Sequence, residues 1–512
     1  MPISILSAKD MVALEHAALA QGQSLSGLMN EAVKACTQFV TQTFPRSTYQ
    51  HVAILAGRGH NGGDALGLGC ELLRAGRTVS ALLCWTSDDA KSATKTYLKE
   101  FKELGGLIYS CSASSDFDSL NLKESFSTAE LWIDGLYGYG LNRPARGIDA
   151  AAIEFVNQFE KQKIALDVPS GLSCDLGNLG GPFICANHTL ALGALKPIHL
   201  DDSLLSALGE VHWLDLDLLK HLDKISVPRW FAAHQNDFRD LLQEARRTPD
   251  SHKISNGRLL IVAGSKRYPG AGVLTCLGAQ ISGAGMIHAW VPEKDHHPLL
   301  TTLPEIILER SLPRLDSFDA IVLGPGWVPG DTTTFNTVIQ HAMHRPDTCL
   351  VLDAGAFPFV TSHLQKRHLF GDNVVLTPHS GEFSRLFQEP FLRINSKYLE
   401  QRIHRIEAAS WASKMCLATV VLKGARTHVA TPDGEVLSVM RSTPLLAHAG
   451  HGDVLAGLIG GLAAGGLKSK KAALLAALMQ AETGYWFSSQ FPTALTLPPV
   501  ELVRQMQRLP HP

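Results

Sequence analysis

The feature that most constrains this chain is a repeated pattern: a short apolar run rich in Val, Ile and Leu that stops in a cluster of Gly, Asp or His. In the first half the runs are "HVAILAGRG" around Val52, "TVSALLCW" around Val79, "ELWIDGLYG" around Ile133 and "KIALDVPSG" around Ile164. In the second half they are "RLLIVAGS" around Leu260, "MIHAWVP", "DAIVLGPG", "CLVLDAG", "NVVLTPH" and "ATVVLKGA". Such runs, separated by Gly-containing turns and helical stretches, predict the buried strands of a parallel sheet. Each half supplies enough strands for a sheet of its own, so the expected fold class is α/β, with two doubly wound domains. A chain of 512 residues also exceeds what one core supports, and two domains of roughly 200–250 residues are expected. From Leu222 to Pro249 the sequence carries charges, prolines and "RWFAAHQNDF" but no strand run. The boundary is therefore placed near Ile225 to Trp230, giving domains 1–224 and 225–512. In such sheets function gathers in the loops after the strand C-termini, where nearly all the Gly/Asp/His clusters fall.

Composition removes several function classes. A net charge of −2 offers no basic footprint for nucleic acid. The nine cysteines form no CxxC pair, which fits a reducing cytosol rather than a disulfide scaffold. The opening residues include Lys9, Asp10 and Glu15 and no long apolar core, so no signal peptide is expected. The most membrane-like stretch, Val454 to Leu467, is Gly-rich and shorter than the roughly 20 residues a span requires. A soluble, cytoplasmic protein is expected, with neither nucleic acid nor membrane as partner.

In the first half, "AGRGHNGGDALGLG" follows a strand run and packs four glycines into Gly57 to Gly63. Converging backbone N–H groups without Cβ atoms make such a turn a candidate phosphate cradle, although glycine-rich turns also arise for packing. It is neither G-x-G-x-x-G nor a Walker loop. Asp134 and Asp167 each end a strand run. One such acid can merely cap a turn, but two beside a glycine-rich loop indicate a site. Asn61, Asp134 and the Ser170 hydroxyl are oxygen ligands suited to a hard cation.

The second half carries "VAGSKRYPGAGV", "GPGW" from Gly324, "TPHSGEF" from Thr377, "LKGART" from Leu422 and "AGHGDVLAG" around Asp453. Each has an ordinary reading as a turn, a solvated lysine or a loop histidine. Together, at strand exits, they would converge on one end of the sheet. Asp453 itself admits two readings. It can cap a packed helix, or it can stand among the free amides of a helix start, where a phosphate binds and a carboxylate acts as base.

"GRGHNGGD", "IDGLYGYGLNRP", "LDVPSGLSCD" and "TLALGALKP", in that order, resemble the N-terminal epimerase domain of the bifunctional NAD(P)H-hydrate repair enzymes over roughly the first 220 residues. From Trp230 to Pro499, "LTPHSGEF" with "AGHGDVLAG" resembles their ADP/ATP-dependent dehydratase domain. The resemblance implies a Rossmann-like sandwich followed by a ribokinase-like domain. It implies a hydrated nicotinamide nucleotide, NADHX or NADPHX, held in the first half by His60, Asn61, Gly62, Gly63 and Asp64 and by Gly138, Tyr139, Gly140, Leu141, Asn142, Arg143 and Pro144. Asp167 is implied as the acid/base that inverts C6, and Asn61, Asp134 and Ser170 as holders of a potassium ion. In the second half it implies Ala271, Gly326, His379 and Asp453 on the hydrate, and Lys423, Gly424, Ala425, Arg426, Thr427 and Gly452 on the adenine nucleotide. Asp453 is the implied base, with Mg2+ accompanying ADP or ATP, and a homo-oligomer is expected.

The chain departs from the family pattern at His60, Ala65 and Ile198 in the first half, and at Ile254, Gly355 and His451 in the second. An alanine at 65 is costly where φ is positive. Gly355 removes a second acid after Asp353. His451 offers a titratable contact to phosphate or simply faces solvent. Two other functions stay open: a ribokinase-fold small-molecule kinase, and an active dehydratase behind an N-terminal domain kept only for binding.

Overall fold

The computed structural model describes residues 2–85, 90–233, 235–291, 303–328, 332–366, 369–387, 405–441 and 443–509. Contacts divide the chain into two compact units, Ser4–Pro228 and Arg229–Pro512, the latter taking in Met1–Ile3. The division falls within the stretch Ile225 to Trp230.

The first unit contains a parallel sheet of β1 (His51–Ala56), β2 (Thr78–Leu83), β3 (Leu107–Ser110), β4 (Leu131–Gly135), β5 (Gln162–Leu166), β6 (His188–Leu192) and β7 (Glu210–Leu214). Their spatial order is 7-6-5-4-1-2-3, with every neighbouring pair parallel. The chain winds one way from β1 to β3 and the other way from β4 to β7. The order reverses between β1 and β4, and a crevice opens beyond the strand ends at such a reversal. The four expected runs are β1, β2, β4 and β5. Val52, Ile54, Leu131, Ile133, Ile164 and Leu166 are fully buried on one face, and Ala53, Leu55, Trp132 and Ala165 lie in the core on the other. Burial on both faces is why these strands read as continuous apolar runs.

The second unit holds β8 (Trp230–Ala233), β9 (Arg258–Val262), β10 (Met286–Trp290), β11 (Ile307–Leu308), β12 (Ala320–Leu323), β13 (Cys349–Leu352), β14 (Val374–Leu376), β15 (Thr419–Leu422), β16 (His428–Ala430) and β17 (Val436–Val439). Their order is 8-17-16-15-14-13-12-9-10-11, reversing between β9 and β12. All pairs are parallel except those that bring β16 between β15 and β17. The sequence reading found no strand in the stretch from Leu222 to Pro249, yet β8 lies there, paired with β17. Its segment, Trp-Phe-Ala-Ala, carries no β-branched residue, so its strand character comes from the partner it pairs with.

The Gly-rich apolar stretch after Asp453 forms the helix His451–Ala464. It packs against the helix Pro269–Ile281, the helix Ser469–Gln490 and the strands β9, β12 and β13. A helix covered on all sides is apolar all round. Its glycines permit close approach. A Cβ at 457 would lie 1.9 Å from the Thr275 carbonyl oxygen, and one at Gly278 would lie 2.2 Å from that of Val454. Among the described residues no helix is long and apolar enough to cross a membrane.

Candidate functional site

The first site lies at the order reversal of the first sheet. The turn after β1 delivers Gly57 to His60 and opens the helix His60–Arg74; the loop after β4 delivers Leu136 to Pro144; Asp167 follows β5. These segments line a cleft of about 1140 Å³, to which Glu15, Asp64, Arg58, Lys91, Arg143 and Arg146 also contribute. Four basic side chains, Arg58, Lys91, Arg143 and Arg146, can meet a phosphorylated ligand, and four acids, Glu15, Asp64, Asp149 and Asp167, line the same cleft. His60, Asn61, Asp64, the whole 138–144 loop and Asp167 therefore share one cavity. Gly62 and Gly63 lie behind its wall. A Cβ at 62 would fall 1.8 Å from the Gly57 carbonyl oxygen, and one at 63 would fall 2.4 Å from Met29 Cε. Gly62 lets the helix start press against the strand exit, and Gly63 lets it press against Met29 and Thr94 of neighbouring helices.

Asp167 is the most constrained residue here. It is buried and sits at φ 67°, a left-handed conformation that costs a non-glycine residue free energy and that clusters at functional sites. Its Oδ2 accepts from the Tyr139 amide at 3.0 Å, and its carbonyl faces His199 Nε2 at 2.7 Å. Its Oδ1 forms an ion pair with Lys196, whose side chain is fully buried. Lys196 also donates to the Leu192 carbonyl at 2.8 Å. Two further carboxyls point into this surrounding. Burial pushes Asp64 well above the usual carboxylate range, helped by the charges of Asp167 and Glu15. Burial likewise raises Glu15, against the hydrogen bond its Oε1 accepts from the Tyr139 hydroxyl at 2.8 Å. The site thus joins an ion-paired carboxylate to two carboxyls biased toward the protonated form.

The candidate cation ligands stand together around the Tyr137 carbonyl. Asn61 Nδ2 donates to it at 2.7 Å and to the Leu166 carbonyl at 3.1 Å, which leaves the Asn61 carboxamide oxygen as the acceptor end. Ser170 Oγ donates to Asp134 at 2.6 Å and accepts from the Tyr137 amide at 2.8 Å. Burial pushes Asp134 to about 6, against the hydrogen bonds from Ser170 and Leu136 that favour its charged form. This buried set offers oxygen only, the donor chemistry of a hard cation.

The second site lies past the ends of β9, β12, β13, β14 and β15. Gly450 precedes the helix His451–Ala464 at φ 98°. A Cβ there would lie 2.6 Å from Leu274 Cδ1, so the turn accepts glycine for both conformation and space. Asp453 falls in the helix's first turn, where amides lack intrahelical acceptors. Burial first, then the charges of Asp353 and Glu382, push its carboxyl up to about 7, against the pull of Lys423. Lys423 Nζ lies 2.8 Å from Asp353 Oδ1 and 3.9 Å from Glu382 Oε2. A Cβ at Gly452 would come 3.2 Å from that same nitrogen. Burial opposes the lysine's charge, but Asp353, Glu382 and Asp453 outweigh it and raise its pKa. His379 caps the helix Ser380–Leu386, its Nδ1 accepting from the Gly381 amide at 3.1 Å. Its backbone bridges to Lys423. The strand exits at 379 and 423 therefore meet the helix start at 453.

Ala271 and Gly326 also face one another, since a Cβ on Gly326 would lie 2.4 Å from that of Ala271. In the β15–β16 turn Gly424 and Ala425 are exposed, whereas Arg426 is buried with its Nε 3.4 Å from the Met440 carbonyl. His451 is also buried, its Nδ1 2.7 Å from the Leu446 carbonyl. It neither faces solvent nor offers that nitrogen to a phosphate, contrary to both expectations for it. Gly355 is a packing residue, because a Cβ there would lie 2.0 Å from the Trp327 carbonyl oxygen. Ala65 is buried within the helix His60–Arg74, where no positive φ arises and its Cβ is tolerated. Ile198 lies in a small core with Val168 and Leu172.

Sequence reasoning missed Lys196, Glu15, Asp353 and Glu382 as members of the sites. "ALGALKP", "LDAGAF" and "HSGEF" placed most of them in motifs, but no spacing pairs a lysine with an acid of another loop. Glu15 lies in an N-terminal helix with no local signal at all.

Comparison with known proteins shows the family. Residues 259–508 match the family model described as NAD(P)H-hydrate dehydratase, and residues 25–198 match that of the YjeF-related protein N-terminus. The chain is 32% identical over 507 residues to the bifunctional NAD(P)H-hydrate repair enzyme Nnr of Gloeobacter violaceus, covering 95% of this chain and 94% of the relative. The chain belongs to the bifunctional NAD(P)H-hydrate repair enzyme family. The Nnr enzyme of Thermosynechococcus vestitus is 33% identical across 90% of this chain and 88% of its own length. Among solved structures, the Bacillus subtilis ADP/ATP-dependent NAD(P)H-hydrate dehydratase co-crystallised with ATP/Mg2+ is 28% identical, with TM-score 0.45, and covers 56% of this chain and 98% of its own. In repair-enzyme terms, the doubly wound first unit is the YjeF-related half and the second unit the dehydratase half.

Proposed function

We propose that this chain epimerises NADHX and NADPHX at C6 in its first unit and, in its second, dehydrates the S epimer to NAD(P)H at the expense of ADP or ATP. The observation that carries the reading is the raised carboxyl of Asp453 in the first turn of a glycine-started helix, facing Lys423. A base poised near neutrality suits proton transfer at working pH. Asp453 takes the proton of the C6 hydroxyl as that oxygen attacks the terminal phosphorus and the nucleotide's bridging P–O bond breaks. The amides at the helix start and Lys423 balance the negative charge that develops. The C6–O bond then breaks, driven by the ring nitrogen lone pair, and phosphate leaves. Loss of a proton from C5 restores the double bond of NAD(P)H. Mg2+ accompanying the nucleotide would neutralise phosphate charge.

In the first unit a protonated carboxyl, Asp64 or Glu15, gives its proton to the C6 oxygen, which leaves as water. Water then adds to the opposite face of the ring, and its proton passes to the carboxylate of Asp167. Lys196 holds that carboxylate in place. Asn61, Asp134 and Ser170, with the Tyr137 carbonyl, are the residues that would hold K+, whose positive charge would favour a phosphorylated ligand. The departures Ala65 and Ile198 are packing residues, and this supports an active first domain over one kept only for binding. The nine free cysteines accord with a reducing cytoplasm.

The test is incubation of the purified chain with mixed hydrate epimers and ADP or ATP, following reduced-nicotinamide absorbance. Rapid consumption of both epimers is expected. Fast consumption of one, with the other decaying at the spontaneous rate, overturns the epimerase half; no nucleotide-dependent recovery overturns the dehydratase half.

A further inference from the structure

We propose that His188, Glu210 and His212 bind one divalent ion of the zinc class, a structural site that clamps the edge strand of the first sheet. β6 and β7 pair in parallel with Glu210 opposite His188. His212, two residues along β7, shares a face with Glu210. The three side chains therefore meet on one side of the ribbon, and they are the one group of metal-ligand atoms that converges among the described residues.

The geometry is that of a coordination triangle. His188 Nδ1 and His212 Nε2 stand 3.0 Å apart. Glu210 Oε2 lies 4.0 Å from the first and 3.8 Å from the second. A point equidistant from corners so spaced lies about 2.1 Å from each, inside the range of zinc–nitrogen and zinc–carboxylate bonds. A small displacement from that plane would leave a fourth, tetrahedral position for water. Two imidazole nitrogens and one carboxylate oxygen favour a borderline ion such as Zn2+ over Mg2+ or Ca2+.

The setting suits a ligand set. Phe39 stands with its ring centroid 4.5 Å from that of His212, and Phe44 stands 5.4 Å from that of His188. This aromatic collar limits water around the nitrogens. None of the three residues lines the cleft, and two of them begin their strands, the end of a parallel sheet remote from its ligand crevice. β7 is an edge strand held by β6 alone. An ion joining β6 to β7 fixes the strand whose far end, Leu192, holds Lys196 against Asp167.

The untagged chain, stripped with a chelator, is titrated with Zn2+ and with Co2+, and melting is followed in parallel. One Zn2+ per chain, the visible absorption of four-coordinate Co2+ and a rise in melting temperature are expected. Glu210→Gln should weaken binding by more than the roughly tenfold to hundredfold that loss of an outer-shell partner costs, and His212→Gln should abolish it, with hydrate dehydration unchanged in both. Glu210 has a side chain 56% exposed, so its variant folds and decides the matter should His212→Gln unfold. A wild-type chain that binds no Zn2+ overturns the proposal. So does binding of equal strength in the variants, which would place the ion elsewhere.

Discussion

The two units present a carboxylate at the same point of a doubly wound sheet, the loop end, yet solve its charge in opposite ways. Asp167 has an ammonium of its own, Lys196, wholly buried and delivered by the strand exit next door. Asp453 faces a lysine already held by Asp353 and near Glu382, and its own burial raises its carboxyl to about 7. In the first site the lysine pairs with Asp167 itself and leaves Glu15 and Asp64 to be raised; in the second it pairs with Asp353 and leaves Asp453 close to neutrality. Each site sets one lysine among three acids, and which acid the lysine pairs with sets the role.

The strongest way to break this comparison is Asp453→Asn. Dehydration should fall on the order of 10²–10⁴-fold, with nucleotide affinity and C6 epimerisation retained; a variant that keeps wild-type turnover excludes Asp453 as the base. The same change should stabilise the second unit at pH 8, by on the order of 1–2 kcal/mol after discount for partial exposure. The sign follows from the raised pKa. The group's favourable contribution is complete below its unfolded pKa and is lost as pH rises through about 7, so above that pH the charged Asp453 costs stability.

Next in size is Lys196→Met. It leaves Asp167 buried without its partner, and about 3–5 kcal/mol of first-unit stability should be lost, together with epimerisation. Dehydration of the S epimer should persist at a temperature where the second unit stays folded. An unchanged melting profile would show that the buried pair contributes nothing.

The pH profile sharpens the contrast. The kcat/KM of dehydration should decline below an inflection near 7, as Asp453 takes up a proton. Lys423→Met removes the charge that lowers this pKa, so the inflection should move to higher pH, whatever the loss in rate. An inflection that stays put would detach Lys423 from Asp453.

The smallest effect tests the departure at 65. Ala65→Gly restores the family residue but puts glycine inside a helix, and about 1 kcal/mol should be lost with no gain in epimerisation. A faster epimerase would show that the alanine limits catalysis after all.

The sequence alone determined the α/β class, the two units and the identity of most loop clusters, because buried parallel strands write uninterrupted apolar runs and their exits must carry glycine and polar residues. The glycines show where this reading stops. Gly62 and Gly457 look alike in the chain, yet one lets a helix start press on a strand exit and the other lets two helices touch. Only the tertiary structure could make that distinction, as it alone revealed β8, whose four residues become a strand by pairing with β17. Charge partnership is likewise a matter of through-space distance. Lys196 with Asp167, and Lys423 with Asp353, join residues 29 and 70 positions apart, a relation that no local pattern encodes and that the winding of the sheet creates.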